Sequence, residues 1–143
     1  MSSTRKFDQY PPESPDENQL HAFFDNLKRG AFTTTKCRSC GALHWPPRTL
    51  CPKCTSTDLE WVELPSVGRV RVSTVATRER GAKPTCLAMV EVGGVLVPST
   101  ISDVDPYSVK EGMEVKLKVF TLDDGRVMYT FVPAKGVKVP VRV

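Results

Sequence analysis

The sequence predicts a mostly β protein: an N-terminal helix, then a metal-held ribbon, then a five-stranded OB-fold barrel. Three observations carry that expectation. Two Cys-x-x-Cys pairs, Cys37/Cys40 and Cys51/Cys54, lie ten residues apart. Beyond Pro65 the chain consists of β-branched runs punctuated by turn residues. Ahead of both lies a capped stretch with apolar residues at helical spacing. At 143 residues the chain has room for one ordinary domain or for a metal module beside a small barrel, which excludes a large multi-domain enzyme.

Residues 1–14 are polar, with Pro11 and Pro12 adjacent, and are expected to be flexible unless a partner holds them. The helix is expected over residues 15–30: Ser14 as N-cap, Pro15 in the first helical position, Glu17 completing a capping box and Gly30 stopping the helix. Leu20, Phe23, Phe24 and Leu27 fall on one face. That stripe packs on the rest of the chain or, in the sharper reading, Phe23 and Phe24 dock a partner subunit.

Residues 31–64 read as the ribbon, with strands around the two knuckles CRSCG and CPKC. A Cys-x-x-Cys turn brings two sulfurs together with backbone N–H groups aimed at them, and two such turns complete a tetrahedral shell. Gly41, directly after Cys40, supplies the permissive backbone that closes the first turn. Cys37, Cys40, Cys51 and Cys54 are therefore expected to bind one Zn²⁺; iron would also fit four sulfurs, and sequence alone leaves the choice open. Four cysteine ligands leave no position for water, so the metal is structural.

Residues 65–134 supply five strands: GRVRVSTVATRE, CLAMVEV, VLVPSTI, EVKLKVFT and RVMYTFV. Gly93-Gly94 and Asp123-Asp124-Gly125 make tight hairpins, and the stretch from Asp103 to Met113, between strands three and four, has room for a helical turn. An OB-like barrel fits best, with a β-sandwich as the alternative topology. Residues 135–143 form a basic tail.

Function is constrained mainly by exclusion. The chain holds only two histidines, His21 and His44, and no glycine-rich phosphate loop, so no catalytic residue of its own stands out. Cys86 reads as a buried thiol. The formal charge is +4, but four thiolates and one Zn²⁺ contribute −4 + 2 = −2, which leaves about +2. A nucleic-acid-binding module is the second reading, weakened because Gly68 to Ile101 contains no Phe, Tyr or Trp for stacking, while Phe120, Tyr129 and Phe131 read as core. No apolar run is long enough for a membrane span or a signal peptide, and paired Cys-x-x-Cys motifs suit a reducing compartment, so a cytoplasmic location is expected.

The residues CRSCGALHWPPRTLCPKCTS, preceded by a phenylalanine-containing helix and followed by a five-strand barrel, resemble one family over nearly the whole chain. The match includes Gly41, Pro46, Pro47, Arg48 and Pro52 beside the four cysteines, Gly68 and Thr74, Gly112-Met113, and Phe131-Val132-Pro133. It is the acyl-CoA-associated OB-fold proteins with an N-terminal rubredoxin-like zinc ribbon. The chain departs from it at Ser66, where the family tends to have glycine, and at Gly93-Gly94, which lacks the usual acidic residue. The resemblance implies a non-catalytic accessory or scaffold subunit of a thiolase-superfamily enzyme, supporting assembly and the binding of a coenzyme A thioester shared with that enzyme. Contacts to acyl-CoA or the partner are then expected on the stiff loop Trp45, Pro46, Pro47 and Arg48, and on the cations Arg78, Arg80 and Lys83.

Overall fold

The computed structural model describes residues 10–16, 18–77 and 83–134. Along it run a helix α1 (His21–Lys28), a ribbon hairpin β1 (Thr33–Cys37) and β2 (Leu59–Glu63), and five barrel strands: β3 (Val67–Ala76), β4 (Thr85–Val92), β5 (Val95–Ile101), β6 (Glu114–Thr121) and β7 (Val127–Pro133). No helix among these residues is long and apolar enough to cross a membrane.

The helix is shorter at its N-terminal side than the periodicity predicts. Ser14 O accepts the Asn18 N–H at 2.9 Å and closes a single turn. Asn18 then takes over: its side-chain oxygen accepts the Leu20 N–H at 2.8 Å and its carbonyl accepts the His21 N–H, so α1 starts at His21. An asparagine that satisfies local donors in this way outcompetes continuous helix. Glu17 lies outside the described residues. The C-terminal end behaves as expected: Gly30 adopts φ +84°, its N–H bonds Leu27 O, and the Ala31 N–H bonds Asn26 O.

The five barrel strands fall where the alternation places them and form a closed barrel in the order β3-β4-β5-β7-β6, which removes the sandwich alternative. Inward residues alternate along each strand, and Val70, Val90, Val92, Val97, Val115 and Phe131 are fully buried. A bulge between Val70 and Val72 interrupts the alternation on β3, so Arg71 and Val72 both face out. The helical turn between β5 and β6 is a short 3₁₀ turn over Pro106–Ser108.

Closure is uneven. Between β5 and β7 the only backbone pairing is Ile101 with Phe131, in parallel. Hydroxyls extend the seam: Thr130 Oγ1 meets Thr100 Oγ1 at 2.7 Å and Ser102 Oγ at 2.8 Å, and donates to Thr100 O at 2.9 Å. Strands β3 and β4 cross so closely at Gly68 that a Cβ there would lie 2.6 Å from Glu91 O.

Helix, ribbon and barrel share one core. Phe23 and Phe24 are both buried, and Phe23 makes edge contacts with Phe32, Trp45 and Tyr129 at centroid distances of 5.9 to 6.1 Å. Phe32 also packs on Phe131. The tip of the β4–β5 hairpin closes the joint, since a Cβ on Gly93 (φ +53°) would meet Pro65 Cδ at 2.7 Å.

Residues 10–13 are fastened to the barrel, in contrast to the flexible segment expected up to residue 14. The buried Arg126 guanidinium donates to Tyr10 O at 2.9 Å and to Asp124 Oδ2 at 2.8 Å. Glu13 pairs with Lys28 Nζ at 2.8 Å and accepts the Val127 N–H at 2.5 Å. A buried cation and a nearly buried carboxylate both need such partners.

Candidate metal centre

The two knuckles repeat one another bond for bond. The Gly41 N–H bonds Cys37 O at 2.9 Å and the Thr55 N–H bonds Cys51 O at 2.8 Å; the Cys37 N–H bonds Ala42 O, and the Cys51 N–H bonds Ser56 O, each at 2.9 Å. Both turns need a left-handed residue after their second cysteine. Gly41 fills that position at φ +78°, as the sequence indicates, but in the second knuckle Thr55 fills it at φ +64°. A β-branched residue there is strained, and the Thr55 hydroxyl offsets some of the strain by donating to Cys54 O at 2.5 Å.

The turns bring the four sulfurs together across the ribbon. Cys37 and Cys54 lie 3.5 Å apart, Cys40 and Cys51 lie 3.7 Å apart, and all four Sγ atoms fall within 4.8 Å of one another. A tetrahedron with metal–sulfur bonds of about 2.3 Å has edges of roughly 3.8 Å, close to the two shortest separations, so the four-sulfur cluster suits zinc. The electrostatics agree. The Cys40 N–H, 3.4 Å from Cys37 Sγ, draws the Cys37 thiol down to about 6. At Cys54 the Ser56 N–H favours the thiolate but is outweighed by the other three sulfurs together with burial, and that thiol is pushed up to about 12. The Cys37 and Cys51 thiols are both drawn down while that of Cys54 is pushed up, a conflict that a divalent cation at the centre removes.

Beside the knuckles, three consecutive threonines on β1 are buried, and each is satisfied. Thr33 Oγ1 accepts from Asn26 Nδ2 at 3.1 Å and ties the helix; Thr34 Oγ1 donates to His44 O at 2.6 Å. Thr35 Oγ1 accepts the Arg48 N–H and lies 2.9 Å from His44 Nδ1. The other ring nitrogen, Nε2, is buried and meets no hydrogen-bond partner among the described residues. Burial, with the Arg48 charge adding, holds the His44 pKa below its ordinary value. The Thr33-Thr34-Thr35 run was the visible signal for this tether, since three polar side chains in a buried strand need partners.

The remaining predicted site residues are dispersed. Trp45 belongs to the shared core, in contact with Phe23, Phe32 and Tyr129, and Pro47 is buried. Pro46 and Arg48 are exposed beside them, as is Lys83 at the start of the β4 approach. Arg78 and Arg80 lie outside the described residues. The docking role expected for Phe23 and Phe24 does not hold: both rings are consumed by the chain's own core, each 6 % exposed. Cys86 is buried as expected, and burial raises its pKa. Of the late aromatics only Phe131 is fully buried; Phe120 and Tyr129 reach the barrel surface.

A closed five-strand barrel joined to a four-cysteine ribbon through an aromatic core defines the class: zinc-ribbon OB-barrel proteins. Comparison with known proteins narrows it. Residues 24–60 match the family model described as "ChsH2, rubredoxin-like zinc ribbon domain". A "DUF35 domain-containing scaffold protein" of Pyrococcus furiosus is 33 % identical over 105 residues, covering 67 % of this chain and 76 % of the relative. The chain belongs to the DUF35 scaffold family. A "Probable enoyl-CoA hydratase alpha subunit" of Thermomonospora curvata is 29 % identical over 84 % of this chain but only 39 % of its own length. Among solved structures, the "Ltp2-ChsH2(DUF35) aldolase" superposes with a TM-score of 0.70 at 26 % identity, covering 84 % of this chain and 98 % of that one.

Proposed function

We propose that this chain is a non-catalytic accessory subunit, a structural-zinc scaffold for a thiolase-superfamily enzyme that works on acyl-CoA, with residues 31–64 and 65–134 as its two units. The observation that carries the reading is the four-sulfur site on a chain whose relative is a scaffold protein. That donor set has no open position, so the metal would hold the ribbon and leave the reaction to a partner. The names of two similar proteins, an aldolase complex and a subunit of a CoA-thioester enzyme, support an enzyme partner of this kind. Coenzyme A would meet the exposed cations Arg48 and Lys83, with Arg78 and Arg80 as further candidates.

The test is co-expression with a thiolase-like enzyme encoded beside the gene. The two products should co-elute, and adding the chain should raise thiolysis or condensation; Arg48→Ala should raise the KM for acyl-CoA and leave zinc content unchanged. Absence of a complex, together with salt-resistant binding of single-stranded nucleic acid, would instead favour the nucleic-acid module.

A further inference from the structure

The four sulfur ligands do not meet solvent alike. Each knuckle carries one buried cysteine, Cys37 or Cys51, and one exposed cysteine, Cys40 or Cys54. Ser39, Lys53 and Thr55 beside the exposed pair are themselves exposed, so a small solute approaches the centre from the Cys40 and Cys54 side. Both sulfur contacts of hydrogen-bonding geometry cross between the knuckles, and each joins an exposed cysteine to a buried one. Cys54 meets Cys37 at 3.5 Å, and Cys40 meets Cys51 at 3.7 Å.

The knuckles are also tied to one another by bonds that owe nothing to a metal. Ser39 Oγ donates to Ser56 Oγ at 3.1 Å, the Arg38 N–H bonds Asp58 O at 3.0 Å, and the Arg38 guanidinium pairs with the Asp58 carboxylate at 3.1 Å. The β1–β2 pairing runs up to Cys37 itself, opposite Leu59. These ties keep each buried sulfur opposite its exposed partner while the ligands change their bonds. Each pair closes by less than about 2 Å to reach disulfide length.

We propose that the centre is a reversible thiol switch, in which hydrogen peroxide exchanges the bound metal for two disulfides that cross between the knuckles, Cys37–Cys54 and Cys40–Cys51. The exposed sulfur of a pair, a thiolate while it is a ligand, attacks a peroxide oxygen. The O–O bond breaks, one proton is taken up, and a sulfenic acid and a water result. The buried thiolate then attacks the sulfenic sulfur, so that the S–S bond forms, the S–O bond breaks and a second water leaves with another proton. Over both pairs, four thiolates, two peroxides and four protons give two disulfides and four waters, and Zn²⁺ is set free. The bridges then join the same two turns that the metal joined.

The sequence makes the pairing readable, because Lys36, Arg38, Arg48 and Lys53 place each of the four cysteines on its own tryptic peptide. The zinc-loaded full chain is titrated with hydrogen peroxide, released zinc is followed with a colorimetric chelator, and disulfides are mapped by mass spectrometry after free thiols are blocked. One zinc should leave for about two equivalents of peroxide, and bridges between the knuckles should outnumber those within a knuckle at least about tenfold. Cys86, buried in the barrel, should remain a thiol. Dithiothreitol with added zinc should restore the zinc content. No enzyme partner enters the measurement, so its outcome is independent of the proposed function. Bridges within the Cys-x-x-Cys pairs, sulfinic acid at Cys40 or Cys54, or zinc retained through many equivalents of peroxide would each overturn the proposal.

Discussion

Ribbon and barrel reach stability by different routes. The buried centre of the barrel is aliphatic, with Val70, Val90, Val92, Val97 and Val115 inaccessible to water, and it depends on shape and volume. Around the knuckles the buried side chains are Cys37, Cys51, Thr34, Thr35 and His44, a set that can bury little apolar area. Such a module is held by a few directional bonds and by whatever the four sulfurs bind. A barrel strand can lose a methyl group and remain folded; a ribbon ligand is present or it is not.

Cys37→Ser separates the two halves most sharply. Structural zinc contributes on the order of 10 kcal/mol to small modules, so this variant should melt the ribbon and move the Trp61 fluorescence while the β signal of the barrel persists in part. A strong chelator should reproduce the effect in the native chain. Simultaneous collapse of both halves would show that the aromatic joint makes them one cooperative unit.

Gly68→Ala strikes the opposite half. Its Cβ would fall 2.6 Å from Glu91 O and 2.8 Å from a Val90 methyl, both fixed parts of the barrel. Overpacking of this kind costs about 1 to 3 kcal/mol, read as a lower denaturant midpoint with full zinc content.

Thr55→Gly probes the smallest difference, that between the two knuckles. Removing the side chain relieves the φ of +64° but gives up the hydroxyl bond to Cys54 O. A net gain of about 0.5 to 1 kcal/mol is expected, seen as a higher Tm, whereas Gly41→Thr in the first knuckle should lower it. Equal responses at the two sites would mean that the knuckles are not interchangeable in geometry.

Much of this was legible in the sequence because the signals are local. The alternation of β4 and β5 is carried by neighbours two apart, and the four ligands announce themselves by spacing and residue type. What local pattern could not show is which side chains are consumed by distant partners. Trp45 looked like a loop wall, but Phe32, Phe23 and Tyr129 claim it, and the last of these is 84 positions away, at 129 − 45. Phe23 and Phe24 formed a stripe whose cover could be this chain or another. The helix began late because Asn18 satisfied backbone donors that helix propensity assigns to the helix itself. The outward turn of both Arg71 and Val72 depends on a bulge after Val70, which leaves no periodic trace.

The hydrogen bond from Arg126 to Tyr10 spans 116 positions of sequence, and Glu13 reaches Val127 across 114. Contacts this distant form only after a large loop has closed, at an entropic cost that grows with the logarithm of its length. During synthesis from the N-terminus, the strap at Tyr10–Glu13 has no seat until β7, the last strand among the described residues, has emerged. The beginning of the described chain is thus among the last parts to settle, and its attachment reports that the barrel is complete.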